Sequence, residues 1–178
     1  MLNHVHLVAT PGNTRSIQDA VGQAHNLHSK RFNRRHDRRG HLWQSRHYAC
    51  ALDEPHFIRS LIYVDKNPVK AGLVENSWQY QWSSAGIHYG YRDENSTALI
   101  DFNSWLKISE EYGFLDLVWS DMDDFAEVLR RHTASGKPLG DKEFFKRAAQ
   151  IVPGTLVPGT LVPGTLVAGT ERTERSTC

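Results

Sequence analysis

Only two stretches of this chain alternate as a half-buried strand must, and that scarcity limits the fold more than any other feature. Asn3-His4-Val5-His6-Leu7-Val8-Ala9 sends every second side chain to one face and stops at Pro11-Gly12. His47 to Leu52 is the second such run. Two strands are too few for a sheet that is stable by itself, so helices must complete the core and the expected class is α+β. From Ser16 to about His36, residues Ile17, Ala20, Val21, Ala24, Leu27 and Phe32 recur at roughly helical spacing. Thr14 or Ser16 is placed to cap that helix, and Gly40 to close its basic end. A second helix is expected after an Asp53 cap, with Pro55 in its first turn and Phe57, Ile58, Leu61 and Ile62 inside. Asn67-Pro68 reads as the cap and first position of a further short helix ending at Gly72. Residues 75–90 read as an aromatic loop carrying Trp78, Tyr80, Trp82 and Tyr89. Residues 98–150 read as short helices, among them Asp121 to Arg131 and Asp141 to Gln150.

The C-terminus differs in kind. Val152-Pro153-Gly154-Thr155-Leu156 recurs as Val157 to Leu161 and Val162 to Leu166, then decays at Val167-Ala168-Gly169-Thr170. Each Pro-Gly pair favours a tight turn, and five-residue units are far shorter than those of packed solenoids. The expectation is a flexible chain of turns, translated from repetitive DNA and without a catalytic role.

The net charge of +1 conceals an asymmetry. Residues 1–50 carry eight Lys and Arg against two acids, Asp19 and Asp37, and seven of the ten histidines. Glu110 to Glu127 is acidic instead. A basic half with interleaved aromatics suits a polyanion, nucleic acid being the commonest, although a solvated charged face has the same composition. Cys50 and Cys178 are too few and too distant to frame a disulfide fold, which points to a reducing cytoplasm. The chain begins with a polar, His-containing segment rather than a leader, and no apolar run nears the ~18 residues of a membrane span.

Two histidines two apart on a strand share a face and can share a divalent cation. Alone, His4 and His6 fit a pair of surface histidines equally well. They would also fit the metal strand of a β-barrel, but the rest of the chain lacks the many short strands a barrel needs. Tyr63 and Asn67 are four apart at the end of the second expected helix and therefore project on one side. A phenol, with its ordinary pKa of ~10, is a weak nucleophile. It can attack a phosphodiester whose charge a cation withdraws. An amide oxygen one turn on can complete the coordination of a hard cation. Tyr63 as a half-buried helix aromatic and Asn67 as a cap are the plainer alternatives.

Five ordered blocks carry a resemblance to a known family. They are Met1-Leu2-Asn3-His4-Val5-His6-Leu7; Phe32-Asn33-Arg34-Arg35-His36 with Gly40-His41-Leu42-Trp43-Gln44-Ser45-Arg46; Tyr63-Val64-Asp65-Lys66-Asn67-Pro68-Val69-Lys70-Ala71-Gly72-Leu73-Val74; Tyr80-Gln81-Trp82-Ser83-Ser84; and Gly136-Lys137-Pro138-Leu139-Gly140-Asp141. Together they resemble the REP-associated tyrosine transposases of the HUH (His-hydrophobic-His) superfamily. The resemblance implies Mg²⁺ or Mn²⁺ held by His4, His6 and Asn67, and a covalent 5′-phosphotyrosine on Tyr63. It also implies phosphate contacts from Arg34, Arg35, Arg46, Lys66 and Lys70. Trp43 is a candidate to stack on an unpaired base, and as readily a core aromatic; Trp78, Tyr80 and Trp82 read as packing.

The family's ferredoxin-like core resembles a sheet in which a strand, a helix and a strand precede the His-Val-His strand, yet here the chain opens three residues before His4. The expected architecture is accordingly a truncated core over residues 1–90, a helical region over 91–150 and the repeat tail over 151–178. The truncation would leave the His-Val-His strand with an unpaired edge. Leu2 stands where the family has proline. The implied partner is single-stranded or hairpin DNA, with no membrane, acting as a monomer or a homodimer. The functional expectations are a DNA-nicking and strand-transfer enzyme, a hairpin-binding remnant that no longer cleaves, and an inert fragment of a decayed mobile element.

Overall fold

Val5 and Leu7 are exposed while His4, His6 and Val8 are half-buried, the two-residue alternation of a strand with one face inward. Strand β1 itself spans His6–Ala9, so His4 lies just ahead of it. The computed structural model describes residues 4–13, 15–43, 47–92, 100–114, 123–151 and 164–168. Helices α1 (Ser16–Arg35), α2 (Glu54–Lys70), α3 (Ala85–His88), α4 (Phe102–Tyr112), α5 (Asp123–Ser135) and α6 (Lys142–Ile151) accompany strands β2 (Tyr48–Leu52) and β3 (Gly164–Ala168). The mixture is α+β and rich in helix. The chain forms two compact units, one of Leu2–Phe57 with Leu129–Cys178 and one of Ile58–Val128.

In the first unit the three strands make one antiparallel sheet in the order β1-β3-β2. Its central strand comes from the repeat: Leu166 lies opposite Val8 on one side and Cys50 on the other. This corrects one expectation and narrows another. The segment Gly164–Ala168 is a paired strand rather than part of a flexible tail, and β1 has a neighbour on one side while its other side remains an edge of this sheet. The strand begins directly after Pro163 and ends on Ala168, where the two earlier copies carry Pro158 and Pro163. Proline has no N–H to give to a ladder, so only the third copy offers five consecutive residues fit for a central position. The remaining repeat residues lie outside the described segments.

Helix α1 ends earlier than Gly40. The Arg38 N–H reaches the Asn33 carbonyl across Asp37, whose φ of 46° is left-handed, and this wrap closes the helix. At the other end the N-cap is Arg15, with no side-chain cap. Ser16 lies inside the helix and bonds back to Asn13, while Thr14 is outside the described residues.

The start of α2 agrees with its local chemistry: Asp53 Oδ1 accepts from the His56 N–H at 3.0 Å. Its other oxygen accepts from the Asp141 N–H at 3.0 Å. Leu139 pairs with the end of β2, its N–H bonding the Ala51 carbonyl at 2.8 Å. Gly140 leaves the space this requires, since a Cβ there would lie 2.3 Å from the Phe144 ring and 3.0 Å from Asp53 Oδ2. Asp141 Oδ1 then caps α6 at the Phe144 N–H, 2.7 Å away. Leu52, Leu129 and Phe144 are among the fully buried side chains of this unit.

The second unit buries Ile58, Ile62, Ala85, Ile87, Trp105, Phe114 and Phe125. Helix α2 continues through Asn67 and Pro68 to Lys70, so no new helix starts there. It closes at Gly72 (φ 65°), with the Leu73 N–H reaching the Pro68 carbonyl. The aromatic loop is more ordered than its sequence suggests, with a 3-10 turn at Ser77–Gln79 boxed by Asn76 and Gln79.

Two outcomes follow from this packing. Deleting residues 152–178 is expected to lower hydrogen-exchange protection at His6–Ala9 and Tyr48–Leu52 by more than about tenfold, because a sheet without its middle strand is not self-supporting. Gly140→Ala is expected to lower unfolding stability by about 2 kcal/mol in a denaturant titration, the usual cost of overpacking.

Candidate active site

The candidate residues fall into two groups, one in each unit. In the first, the rings of His4 and His6 stand edge to face with centroids 4.9 Å apart. The period of the strand brings them together as the sequence implied. Burial, reinforced by the charge of His4, holds the His6 imidazole down at about 4. At neutral pH this ring is therefore uncharged.

The second group is a stripe on α2. Tyr63, Lys66, Asn67 and Lys70 are separated by three, four and seven residues, so they lie along one side of the helix. Tyr63 is only 5 % exposed, whereas Lys70 is exposed. Asn67 Nδ2 is buried with no hydrogen-bond partner, which leaves this amide without a structural task on that side. Directly behind the stripe sits Asp65, fully buried. Its carboxylate accepts from Ser84 Oγ at 3.3 Å and pairs with His88 Nδ1 at 2.7 Å. Sequence reasoning did not single out these three residues. The signal available was the presence of Asp65 and Ser84 inside two of the five blocks; His88 lies outside them.

Of the DNA-contact candidates, Arg34 and Arg35 are exposed in the last turn of α1, where the helix dipole favours cations. Arg46 lies outside the described residues. Trp43 is half-buried and stacked on His25 with centroids 4.0 Å apart, and its Nε1 donates to the His25 carbonyl at 3.3 Å. One face of that indole is already covered. Trp82, expected to pack, is instead 79 % exposed.

Residues 1–67 match the family model described as Transposase IS200 like. The span holds the histidine pair, Tyr63 and Asn67, the four residues on which the chemistry would turn. Over these residues, somewhat more than a third of the chain, the sequence is similar to IS200-like transposases. No curated protein and no solved structure matches the chain.

This match supports a DNA-processing protein of the transposase kind and suggests DNA as its partner. No helix among the described residues is long and apolar enough to cross a membrane. IS200-like transposases generally use a divalent metal. Among the described residues no three His, Cys, Asp or Glu side chains form a group that could hold one.

The depressed His6 value sets a pH dependence. An unfolded chain takes up the proton near 6.5 and the folded one only near 4. Acid therefore favours the unfolded state, and this contribution to stability is present above 6.5 and lost as pH falls toward 4. Thermal unfolding across that interval should show a smaller decline in His6→Gln than in the native chain; equal declines would contradict the assignment.

Proposed function

We propose that this chain is a transposase that cuts and rejoins single-stranded DNA through Tyr63. The carrying observation is the α2 stripe, which sets the phenol one helical turn from the Asn67 amide within the matched span. The Tyr63 hydroxyl forms an O–P bond to the scissile phosphate while the bond to the 3′ oxygen breaks. The phenolic proton ends on the departing 3′-hydroxyl, and a 5′-phosphotyrosine remains. Attack by a different 3′-hydroxyl reverses the step, and no nucleotide cofactor is consumed. Mg²⁺ or Mn²⁺, held by His4, His6 and Asn67, would supply positive charge to the phosphate. Arg34, Arg35, Lys66 and Lys70 are placed to neutralise flanking phosphates, as is Arg46 by its sequence.

The burial of Tyr63 favours a second reading as well. A phenol this covered must be uncovered when DNA binds, and a chain that never uncovers it would bind hairpins without cleaving them.

A labelled hairpin oligonucleotide with a single-stranded extension, incubated with Mn²⁺, separates the two. Cleavage gives a protein–DNA adduct stable to denaturing electrophoresis, lost in Tyr63→Phe and reduced at least about a hundredfold in His6→Ala. A shifted native band with no adduct from the wild-type chain sinks the cleaving reading in favour of the binding one.

A further inference from the structure

The turn that carries Trp82 combines high exposure with tight fixation. The Ser83 N–H bonds the Tyr80 carbonyl at 3.2 Å, so Gln81 and Trp82 form the tip of a four-residue turn. Arg92 holds that turn from below. Its guanidinium donates to the carbonyls of Gln81 (2.8 Å), Ser83 (3.4 Å) and Trp78 (3.5 Å). The arginine stem passes over Gly86, where a Cβ would lie 2.7 Å from Nε and 2.9 Å from Cδ, so a glycine is what opens its path. On the far side Ser83 Oγ accepts from the Ala85 N–H at 3.1 Å, and Ser84 Oγ is tied to the buried Asp65. Both peptide units flanking Trp82 are therefore clamped, while its indole is 79 % exposed.

A large aromatic side chain left in water forgoes the burial that usually stabilises it. A flexible loop could hide such a ring against its own surface; a turn with both flanking carbonyls held by one guanidinium cannot do so cheaply. What suits a rigid, flat, exposed π-face in a DNA-processing protein is the face of an unpaired base. Stacking of this kind tolerates any base. The neighbouring Tyr91 is also 64 % exposed and lies parallel to Trp78 with centroids 4.7 Å apart, so the clamped segment presents a second flat ring.

We propose that Trp82, held at the tip of its turn by Arg92, is a stacking platform for an unpaired nucleotide of the DNA substrate. The inference rests on the reading of this chain as a handler of single-stranded DNA.

The test measures binding of a fluorescently labelled single-stranded oligodeoxynucleotide to the full-length chain by anisotropy, over a series of salt concentrations. Trp82→Leu is expected to weaken binding about tenfold to a hundredfold, and Trp82→Phe distinctly less because it keeps a π-face. The ratio to wild type should stay constant with salt, since a lost phosphate contact would change the slope and a lost stack does not. Thermal unfolding of the variants should match wild type, as the indole is in water. Arg92→Ala should weaken binding in the same direction by loosening the turn. Wild-type binding with an unchanged Trp82→Leu affinity overturns this inference alone, and so does a Trp82→Leu variant that loses only self-association. A wild-type chain that binds no single-stranded DNA overturns the reading beneath it.

Discussion

A carboxylate with no exposure to water, Asp65, organises the unit that carries the tyrosine. An ion of this kind costs several kcal/mol if it is buried unpaired. Here His88 and Ser84 both reach it, and both come from the segment that follows α2. The His88 ring is stacked on Trp105 at 4.0 Å, and Trp105 meets Phe114 edge-on at 4.5 Å. One line of contacts therefore runs from a buried charge to the apolar centre of the unit. The Tyr89 hydroxyl feels the same environment and is pushed up to about 12, by burial first and by the Asp65 charge second. Two positions beyond Tyr63 and two before Asn67, Asp65 points away from their stripe. The helix keeps its anchor on one side and its candidate chemistry on the other.

The other unit uses a carboxylate differently. Asp53 is buried and ties two helices together: it caps the start of α2, pairs with His56 in the same turn and receives the Asp141 N–H at the start of α6. The block Gly136 to Asp141 thus acquires a structural meaning. Gly136, with φ 67°, ends α5, Leu139 extends the edge of β2, Gly140 makes room, and Asp141 starts α6. The contacts show that this block is a connector between a strand and two helices.

Features decided within a few residues were legible in advance. The Asp53 cap, the alternation of β1 and the common face of Tyr63 and Asn67 depend only on chain geometry and neighbours in sequence. Local signals failed where burial or pairing with distant residues competed with them. Asn67-Pro68 has the chemistry of a helix start, yet Pro68 is buried within α2 and the helix runs on, giving up one backbone hydrogen bond near its end. Trp82 left its expected packed surroundings for the same reason, whereas Trp43 took the core-like alternative. Trp43 found His25 eighteen residues back in the chain, while Trp82 was lifted clear by an arginine ten residues ahead. The repeat offered Pro-Gly turn signals in every copy, and only pairing with β1 and β2 made a strand of the third.

The sequence by itself determined the α+β class, the two longest helices and the identity of the imidazole, phenol and amide groups, because composition, spacing and short-range geometry carry all of these. Tertiary structure alone decided that a repeat copy would become the middle of the sheet. It also decided that Asp65 would be buried against His88, and that Trp82 rather than Trp43 would face water. These outcomes turn on which distant groups can satisfy a buried charge, an N–H or an apolar surface, and no local pattern specifies that pairing.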